Sequence, residues 1–162
     1  MKKMTVRNLT YAAVIAALYV VLTVMPGLAE LGFPAVQFRV SEALCALALI
    51  TPYAGIGLSI GCLISNIISP FGVIDMVFGT LATVIAVFAM YRLRTKPLIA
   101  LAIPAIVNGL IVGALITFGQ TNGFPMGVLL FNMGTVALGE LVVCYLLGWP
   151  LYKITQRTGM LK

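Results

Sequence analysis

The chain has 162 residues, of which 62% are hydrophobic and only 9% are charged, whereas a soluble globular domain carries about 45–50% apolar and ~25% charged residues. This composition excludes a soluble globular protein, a disordered chain and a disulfide scaffold, and it predicts an all-α integral membrane protein. The formal net charge is +6, but the positions of the basic residues fit a membrane topology better than nucleic-acid binding.

Prolines, glycines and charged residues divide the chain into six apolar segments, which we interpret as the spans of one membrane domain covering residues 1–162. A span needs roughly 20 apolar residues, so six spans use about 120 residues. The stretch 40–72 cannot be a single span, because its 33 residues would form a helix about 50 Å long, and the residue before Pro52 disfavours helix. The predicted spans are 9–28, 39–51, 54–69, 75–91, 97–118 and 125–149.

Nine of the ten basic residues fall into three clusters next to predicted spans. The clusters are Lys2, Lys3 and Arg7; Arg92, Arg94 and Lys96; and Lys153, Arg157 and Lys162. Cytoplasmic loops of membrane proteins are enriched in Lys and Arg. Six spans place all three clusters on one side of the membrane, so the sequence predicts that both termini are cytoplasmic.

Four polar residues lie near the predicted outer ends of spans: Arg39, Glu42, Asn66 and Asp75. Each has an interpretation without a solute: an i,i+3 ion pair for Arg39 and Glu42, a bond between helices for Asn66 and an N-cap for Asp75. Ionisable residues at membrane depth cost ~2.5–3.5 kcal/mol on insertion scales and usually face a cavity or a partner. Solute binding therefore remains open for all four.

Three further polar residues lie within the spans. Asn132 falls in the outer third of the sixth span, and Asn108 and Glu140 fall near the middle of the fifth and sixth spans, away from any helix end. The polar residues thus converge on the outer half of the bundle and leave the inner half apolar. A polar pocket above an apolar half fits solute capture, whereas a channel needs polar lining throughout.

The sequence contains no motif for enzyme chemistry or for a cofactor. Histidine is absent, and there is no G-x-x-x-x-G-K-[ST] phosphate loop and no set of clustered metal ligands. Cys45, Cys62 and Cys144 lie in apolar runs without C-x-x-C spacing, so we interpret them as small packing residues. We expect no catalytic residue, no metal and no cofactor in this chain.

Small residues at four-residue spacing predict close helix packing. The glycine pairs are Gly57-x-x-x-Gly61 and Gly109-x-x-x-Gly113. The first span carries two overlapping A-x-x-x-A pairs, formed by Ala12, Ala13, Ala16 and Ala17. The helix that packs on these alanines belongs either to this bundle or to another protein.

Three stretches of sequence carry a family resemblance. They are residues 37–44 (QFRVSEAL), the motif G-x-x-x-G-C-x-x-S-N at residues 57–66 and the motif D-x-x-F-G-T-L-A-T at residues 75–83. Together with six spans and the A-x-x-x-A pairs, they resemble the substrate-binding S-components of energy-coupling factor (ECF) transporters. The more specific similarity is to the QueT family, and it covers most of the chain.

The resemblance implies a multi-pass subunit of the bacterial plasma membrane that captures a queuosine precursor, a 7-deazaguanine such as preQ0, preQ1 or queuine. The implied partners are a transmembrane T subunit, contacted through the A-x-x-x-A motif, and two ATPase subunits. The alternatives are an S-component for another vitamin-like solute, an autonomous small transporter or channel, and a membrane enzyme or structural subunit. For such a solute, the residues that we expect to bind it are Glu140, Asn108, Asn66, Asp75, Glu42, Arg39, Gln37, Phe38 and Asn132.

The chemistry of these side chains suits a guanine-like edge, which presents a ring N–H beside an amino group. A carboxylate accepts from both groups, and Glu140 is the first candidate. Asn108 and Asn66 can each supply one donor and one acceptor to the remaining edges. Aromatic rings on the predicted outer side can stack on a flat base, and they are Phe38, Phe71, Phe78, Phe124 and Phe131.

Overall fold

The computed structural model of the chain describes residues 5–25, 27, 38–69, 71–159 and 161. Within these residues the protein is all-helical, with six helices and no strand. The helices are α1 (Val6–Val24), α2 (Val40–Leu49), α3 (Pro52–Asn66), α4 (Val73–Arg92), α5 (Pro97–Thr121) and α6 (Met126–Thr158). The all-helical prediction is confirmed for this part of the chain, and each predicted span corresponds to one helix.

Four of these helices, α1, α4, α5 and α6, are long and apolar enough to cross a membrane. Two of them are irregular next to prolines. α5 is interrupted after Ala100 and resumes at Ile103, because Pro104 has no N–H to bond one turn back and its ring clashes there. α6 contains a π-helical turn at Cys144–Gly148, which ends two residues before Pro150.

Helix α2 is the central element of the bundle. Its residues 41–49 are all buried, and it packs against α1, α3, α4 and α6. A helix that is apolar around its whole circumference is expected to be buried in this way. α2 has 3₁₀ geometry, so its ten residues extend about 20 Å at ~2.0 Å per residue. The stretched geometry lets a short segment cover more membrane depth.

The glycine pairs bring neighbouring helices into backbone contact. A Cβ on Gly61 of α3 would lie 2.8 Å from Tyr19 Cβ and 2.9 Å from the Ala16 carbonyl oxygen of α1. A Cβ on Gly113 of α5 would lie 2.7 Å from Met133 Cα of α6. The predicted role of both glycine pairs in close packing is confirmed.

The two ends of the bundle differ in chemistry. At one end, side-chain hydrogen bonds join α1 to α2, α2 to α3 and α5 to α6. We call this the polar end and define it by Thr23, Ser41, Asn66, Asp75 and Gln120. We call the opposite end the basic end. It carries the exposed residues Arg7, Arg92, Arg94, Lys96, Lys153 and Arg157. The described bases of all three clusters therefore share one end of the bundle.

Candidate functional site

Hydrogen bonds to Glu42 link α1 to the central helix α2. The Tyr19 hydroxyl donates a hydrogen bond to Glu42 Oε1, and Cys45 Sγ donates to Glu42 Oε2 at 3.0 Å. Thr23 Oγ1 donates to Ser41 Oγ at 2.7 Å beside them. Both carboxylate oxygens of Glu42 thus have partners inside the bundle, and the sequence analysis named neither Tyr19 nor Cys45 as a partner.

Tyr19 is a residue that the sequence analysis missed. Its side chain is completely buried, and a buried tyrosine hydroxyl usually finds a hydrogen-bond partner. Ala12, Ala16, Tyr19 and Thr23 lie on one stripe of α1 at helical spacing, and all four are buried. The spacing shows that these four residues share one face of α1, and the packing of the bundle turns that face inward.

Arg39, Asn66 and Asp75 form a chain of contacts from α2 through α3 to α4. The Arg39 guanidinium donates to Asn66 Oδ1 at 2.7 Å, and Asn66 Nδ2 donates to the Asp75 carbonyl oxygen at 3.0 Å. Asn66 is fully buried. The interpretation of Asn66 as a bond between helices is therefore confirmed, and the same amide also places the guanidinium of Arg39.

Asp75 has one engaged and one unengaged carboxylate oxygen. Ser69 Oγ donates to Asp75 Oδ2 at 2.5 Å, whereas the buried Oδ1 has no hydrogen-bond partner among the described residues. Gly72 is the N-cap of α4, so the N-cap interpretation of Asp75 is wrong. A Cβ on Gly79 would collide with Asp75 Oδ1, so glycine at this position makes room for the carboxylate.

Glu140 and Asn108 face each other across α5 and α6. Asn108 Nδ2 donates to Glu140 Oε1 at 2.9 Å, and the glutamate is 1% exposed. The second oxygen, Oε2, is buried without a hydrogen-bond partner among the described residues. The two mid-span residues that the sequence singled out separately are therefore one unit, in which Asn108 orients the carboxylate.

The polar residues gather around α2. Glu140 lies close enough to Glu42 and Arg39 for their charges to act on it, and Arg39 is likewise in the field of Asp75 and Glu42. Three carboxylates and one guanidinium thus lie on the central helix or next to it. A buried acceptor without a donor costs about 1–3 kcal/mol, so Asp75 Oδ1 and Glu140 Oε2 are the atoms that a donor-bearing solute would satisfy.

Other predicted site residues are placed less centrally. Asn132 Nδ2 donates to Thr117 Oγ1 and to Gln120 Oε1, both at 3.0 Å, so its amide group joins α6 to α5. Phe38 is half-buried just before α2. Gln37 lies outside the described residues.

Three of the phenylalanines predicted to stack on a solute lie on the periphery of the bundle. Phe78, Phe124 and Phe131 are each more than half exposed, and Phe78 and Phe124 line an apolar surface groove between α4 and α5. Phe71 packs against a small apolar cluster of α4, α5 and α6 instead. Apolar rings on the periphery of a bundle are placed to contact lipid or neighbouring helices, and stacking on a solute stays a prediction for them.

The four alanines of α1 divide between two faces. Ala12 and Ala16 are 4% and 8% exposed and contact Gly57 and Gly61 of α3, whereas Ala13 and Ala17 are exposed. The expectation that all four contact a partner is corrected accordingly. Ala12 and Ala16 serve packing inside this bundle, and only Ala13 and Ala17 are open to another helix.

The cysteines and the acidic residues offer no metal centre within the described part of the chain. Cys45, Cys62 and Cys144 are free and buried. Cys62 Sγ accepts hydrogen bonds from Asn66 Nδ2 at 3.4 Å and Thr83 Oγ1 at 3.2 Å. The cysteines therefore fill space and satisfy polar neighbours, in line with the packing interpretation.

Comparison with known proteins agrees with this arrangement. A family model described as QueT transporter matches residues 9–157, which is most of the chain. Over 85 residues the chain is 41% identical to the queuosine precursor transporter QueT of Lactococcus lactis subsp. cremoris (strain MG1363), which covers 52% of this chain and 50% of that relative. The match thus spans about half of the relative's length, and no solved structure matches the chain. This multi-pass helical membrane protein belongs to the QueT transporter family.

Proposed function

We propose that the chain is the substrate-binding S-component of an ECF-type importer, and that it captures a queuosine precursor of the 7-deazaguanine class. The observation that carries this proposal is the pair of buried acceptor atoms, Asp75 Oδ1 and Glu140 Oε2, in a member of the QueT family. The name of the Lactococcus lactis relative supports the solute class.

Glu140 is the principal solute contact in this proposal. Asn108 holds Oε1 at 2.9 Å, so Oε2 is left to accept from the ring N–H and amino group of a guanine-like edge. Asp75 Oδ1 supplies a second acceptor, and its other oxygen is fixed by Ser69. Both carboxylates are thus oriented before the solute arrives, which reduces the ordering cost of binding.

The frame of the site consists of residues whose contacts lie within the bundle. Asn66 positions Arg39, and Glu42 joins α1 to α2 through Tyr19. One guanidinium and three carboxylates sum to −2 if all are ionised, so the site favours a solute with a cationic aminomethyl group, as in preQ1, over neutral preQ0. Phe38 and Asn132 complete the proposed set at the polar end, and Gln37 is included in the set from the sequence alone.

The topology proposal follows from the two ends of the bundle. All six helices cross the bacterial plasma membrane, both termini are cytoplasmic, and the basic end faces the cytoplasm because cytoplasmic loops are enriched in Lys and Arg. The polar end then faces outward and admits the solute from outside. Apolar packing between the site and the basic end closes the path inward, so release depends on partner subunits.

Those partners are a transmembrane T subunit and two ATPase subunits, which supply the ATP hydrolysis. The exposed alanines Ala13 and Ala17 form the contact for the T subunit, since small residues let a partner helix approach closely. An autonomous transporter would need no such contact and would move solute without the ATPase module.

Two measurements on the purified chain test the proposal. Isothermal titration calorimetry against preQ0, preQ1, queuine, guanine and common vitamins is expected to show saturable binding of a 7-deazaguanine and none of the vitamins. Co-expression with an ECF module is expected to yield a complex in which uptake requires ATP. Binding of a vitamin alone would refute the solute class, and uptake by the chain alone in proteoliposomes would refute the S-component role.

A further inference from the structure

A groove on the membrane-facing surface leads from the basic end toward the middle of the bundle. It lies between α3 and α4, has a volume of about 340 Å³, and runs from Pro52 and Tyr91 to Ile60 and Val84. Eight residues of α3 separate its ends, which corresponds to about 12 Å of helix. The groove therefore runs along the helices over about 12 Å.

The groove presents an apolar surface to its occupant. Ile56, Ile60, Val84 and Phe88 line it and are between 42% and 59% exposed. The hydroxyl of Ser59, which also lines the groove, donates to the Gly55 carbonyl oxygen at 2.8 Å within its own helix. The shape and the chemistry suit a flexible hydrocarbon chain.

Two guanidinium groups stand at the basic end of this groove on rings that line it. Arg92 Cζ lies 4.7 Å from the centroid of the Phe88 ring, and Arg94 Cζ lies 4.3 Å from that of the Tyr91 ring. Cation–π contacts of this kind hold a guanidinium in place. Both arginines are exposed, so their N–H groups face the solvent side, where a phosphate can accept bidentate hydrogen bonds.

The charge at this end favours an anion. Among the described residues, the basic end carries six exposed bases, and the acidic residues Glu42, Asp75 and Glu140 are all buried elsewhere. Cytoplasmic leaflets carry anionic lipids that basic juxtamembrane residues attract. We propose that the α3–α4 groove binds an anionic phospholipid, with an acyl chain along the groove and the phosphate at Arg92 and Arg94.

Native mass spectrometry and thermal unfolding in nanodiscs test this site with defined lipids. The full chain is expected to retain phosphatidylglycerol and to lose phosphatidylcholine under the same activation. The double variant Arg92→Gln and Arg94→Gln is expected to weaken phosphatidylglycerol retention at least about tenfold, since two cationic contacts to the lipid phosphate are lost. The matched control, Lys153→Gln with Arg157→Gln, removes the same charge from the same end and is expected to change retention less than twofold.

A groove-filling variant separates chain binding from head-group binding. Ser59→Phe places a ring in the groove without removing a charge, and it is expected to abolish the selective retention of phosphatidylglycerol. In the parent chain, inorganic phosphate is expected not to displace phosphatidylglycerol. Equal losses in the two double variants would overturn the site in favour of diffuse attraction. The proposal would also be overturned if phosphatidylcholine were retained as well as phosphatidylglycerol, or if Ser59→Phe left the retention of phosphatidylglycerol unchanged. A protein-sized adduct at a photocrosslinker placed at Phe88 in cells would overturn it too.

Discussion

Replacement of Glu140 by glutamine is the sharpest test of the solute site, because the structure separates the two oxygens of this carboxylate. Oε1 accepts from Asn108 Nδ2 at 2.9 Å, and Oε2 has no partner among the described residues. In Glu140→Gln the amide oxygen can keep the bond to Asn108, and the amide NH₂ then takes the place of Oε2. A solute N–H that met an acceptor would meet a donor instead.

The magnitude follows from the type of bond that is lost. A hydrogen bond to a charged group contributes about 1.5–3 kcal/mol, and ~1.4 kcal/mol corresponds to a tenfold change in affinity. We therefore expect Glu140→Gln to weaken deazaguanine binding roughly ten- to a hundredfold. The unfolding temperature is expected to change little, since the variant keeps the shape and its bond to Asn108.

Calorimetry and thermal unfolding on matched variants provide the assay. Glu42→Gln makes the same chemical change at a carboxylate whose oxygens are both engaged, by Tyr19 and Cys45. This control is expected to lower the unfolding temperature and to leave the affinity within about threefold, a difference below ~0.7 kcal/mol. Unchanged affinity in Glu140→Gln combined with a large loss in Glu42→Gln would refute the assignment and exchange the roles of the two residues.

Three further predictions concern the surface and the frame of the bundle. Ala17→Leu should block assembly with an ECF module and spare solute binding, whereas Ala16→Leu should lower the stability of the protein because the larger side chain collides with α3. Pull-down and calorimetry distinguish the two outcomes. Equal effects of the two variants would contradict the assignment of Ala16 to the inward face of α1 and Ala17 to the exposed face. In a chain without native cysteines, a cysteine placed at Asn122 should be labelled from outside the cell, and one placed at Lys96 should be labelled only after permeabilisation. External labelling of the Lys96 position would contradict the proposed topology. Tyr19→Phe removes one buried hydrogen bond and should destabilise the protein by about 1–3 kcal/mol in reversible unfolding, and an unchanged stability would show that the bond contributes nothing.

The sequence was sufficient for the properties that depend on local composition. Hydropathy, prolines and charged residues act within one segment, so five of the six helices lie within a few residues of the predicted boundaries; α4 runs over Val73–Arg92 against a predicted span of 75–91. The end of the sixth span was placed wrongly, because α6 continues to Thr158 and not to residue 149. The clustering of bases at one end also follows from the number of segments alone. Membership of the family was visible in the same way, since its motifs are contiguous in sequence.

The partners of the polar side chains could not be read from the sequence in the same way. Asn108 and Glu140 are 32 residues apart in sequence, and their contact depends on how α5 and α6 are rotated about their axes. The same holds for Tyr19 and Glu42, which the sequence analysis did not connect. A helix that is apolar on both its buried and its lipid-facing sides has no polar face to mark its orientation, so the pattern alone gave no rotation for these helices.

The alanines of α1 show the same limit most clearly. Ala12 and Ala13 differ by one position, which turns the side chain by about 100° around the helix, and both belong to an A-x-x-x-A pair. Composition predicted that these residues allow close approach, but only tertiary packing decided that Ala12 and Ala16 meet α3 while Ala13 and Ala17 remain exposed. The physical reason is that spacing fixes which residues share a face, whereas the contacts of the whole bundle fix where that face points.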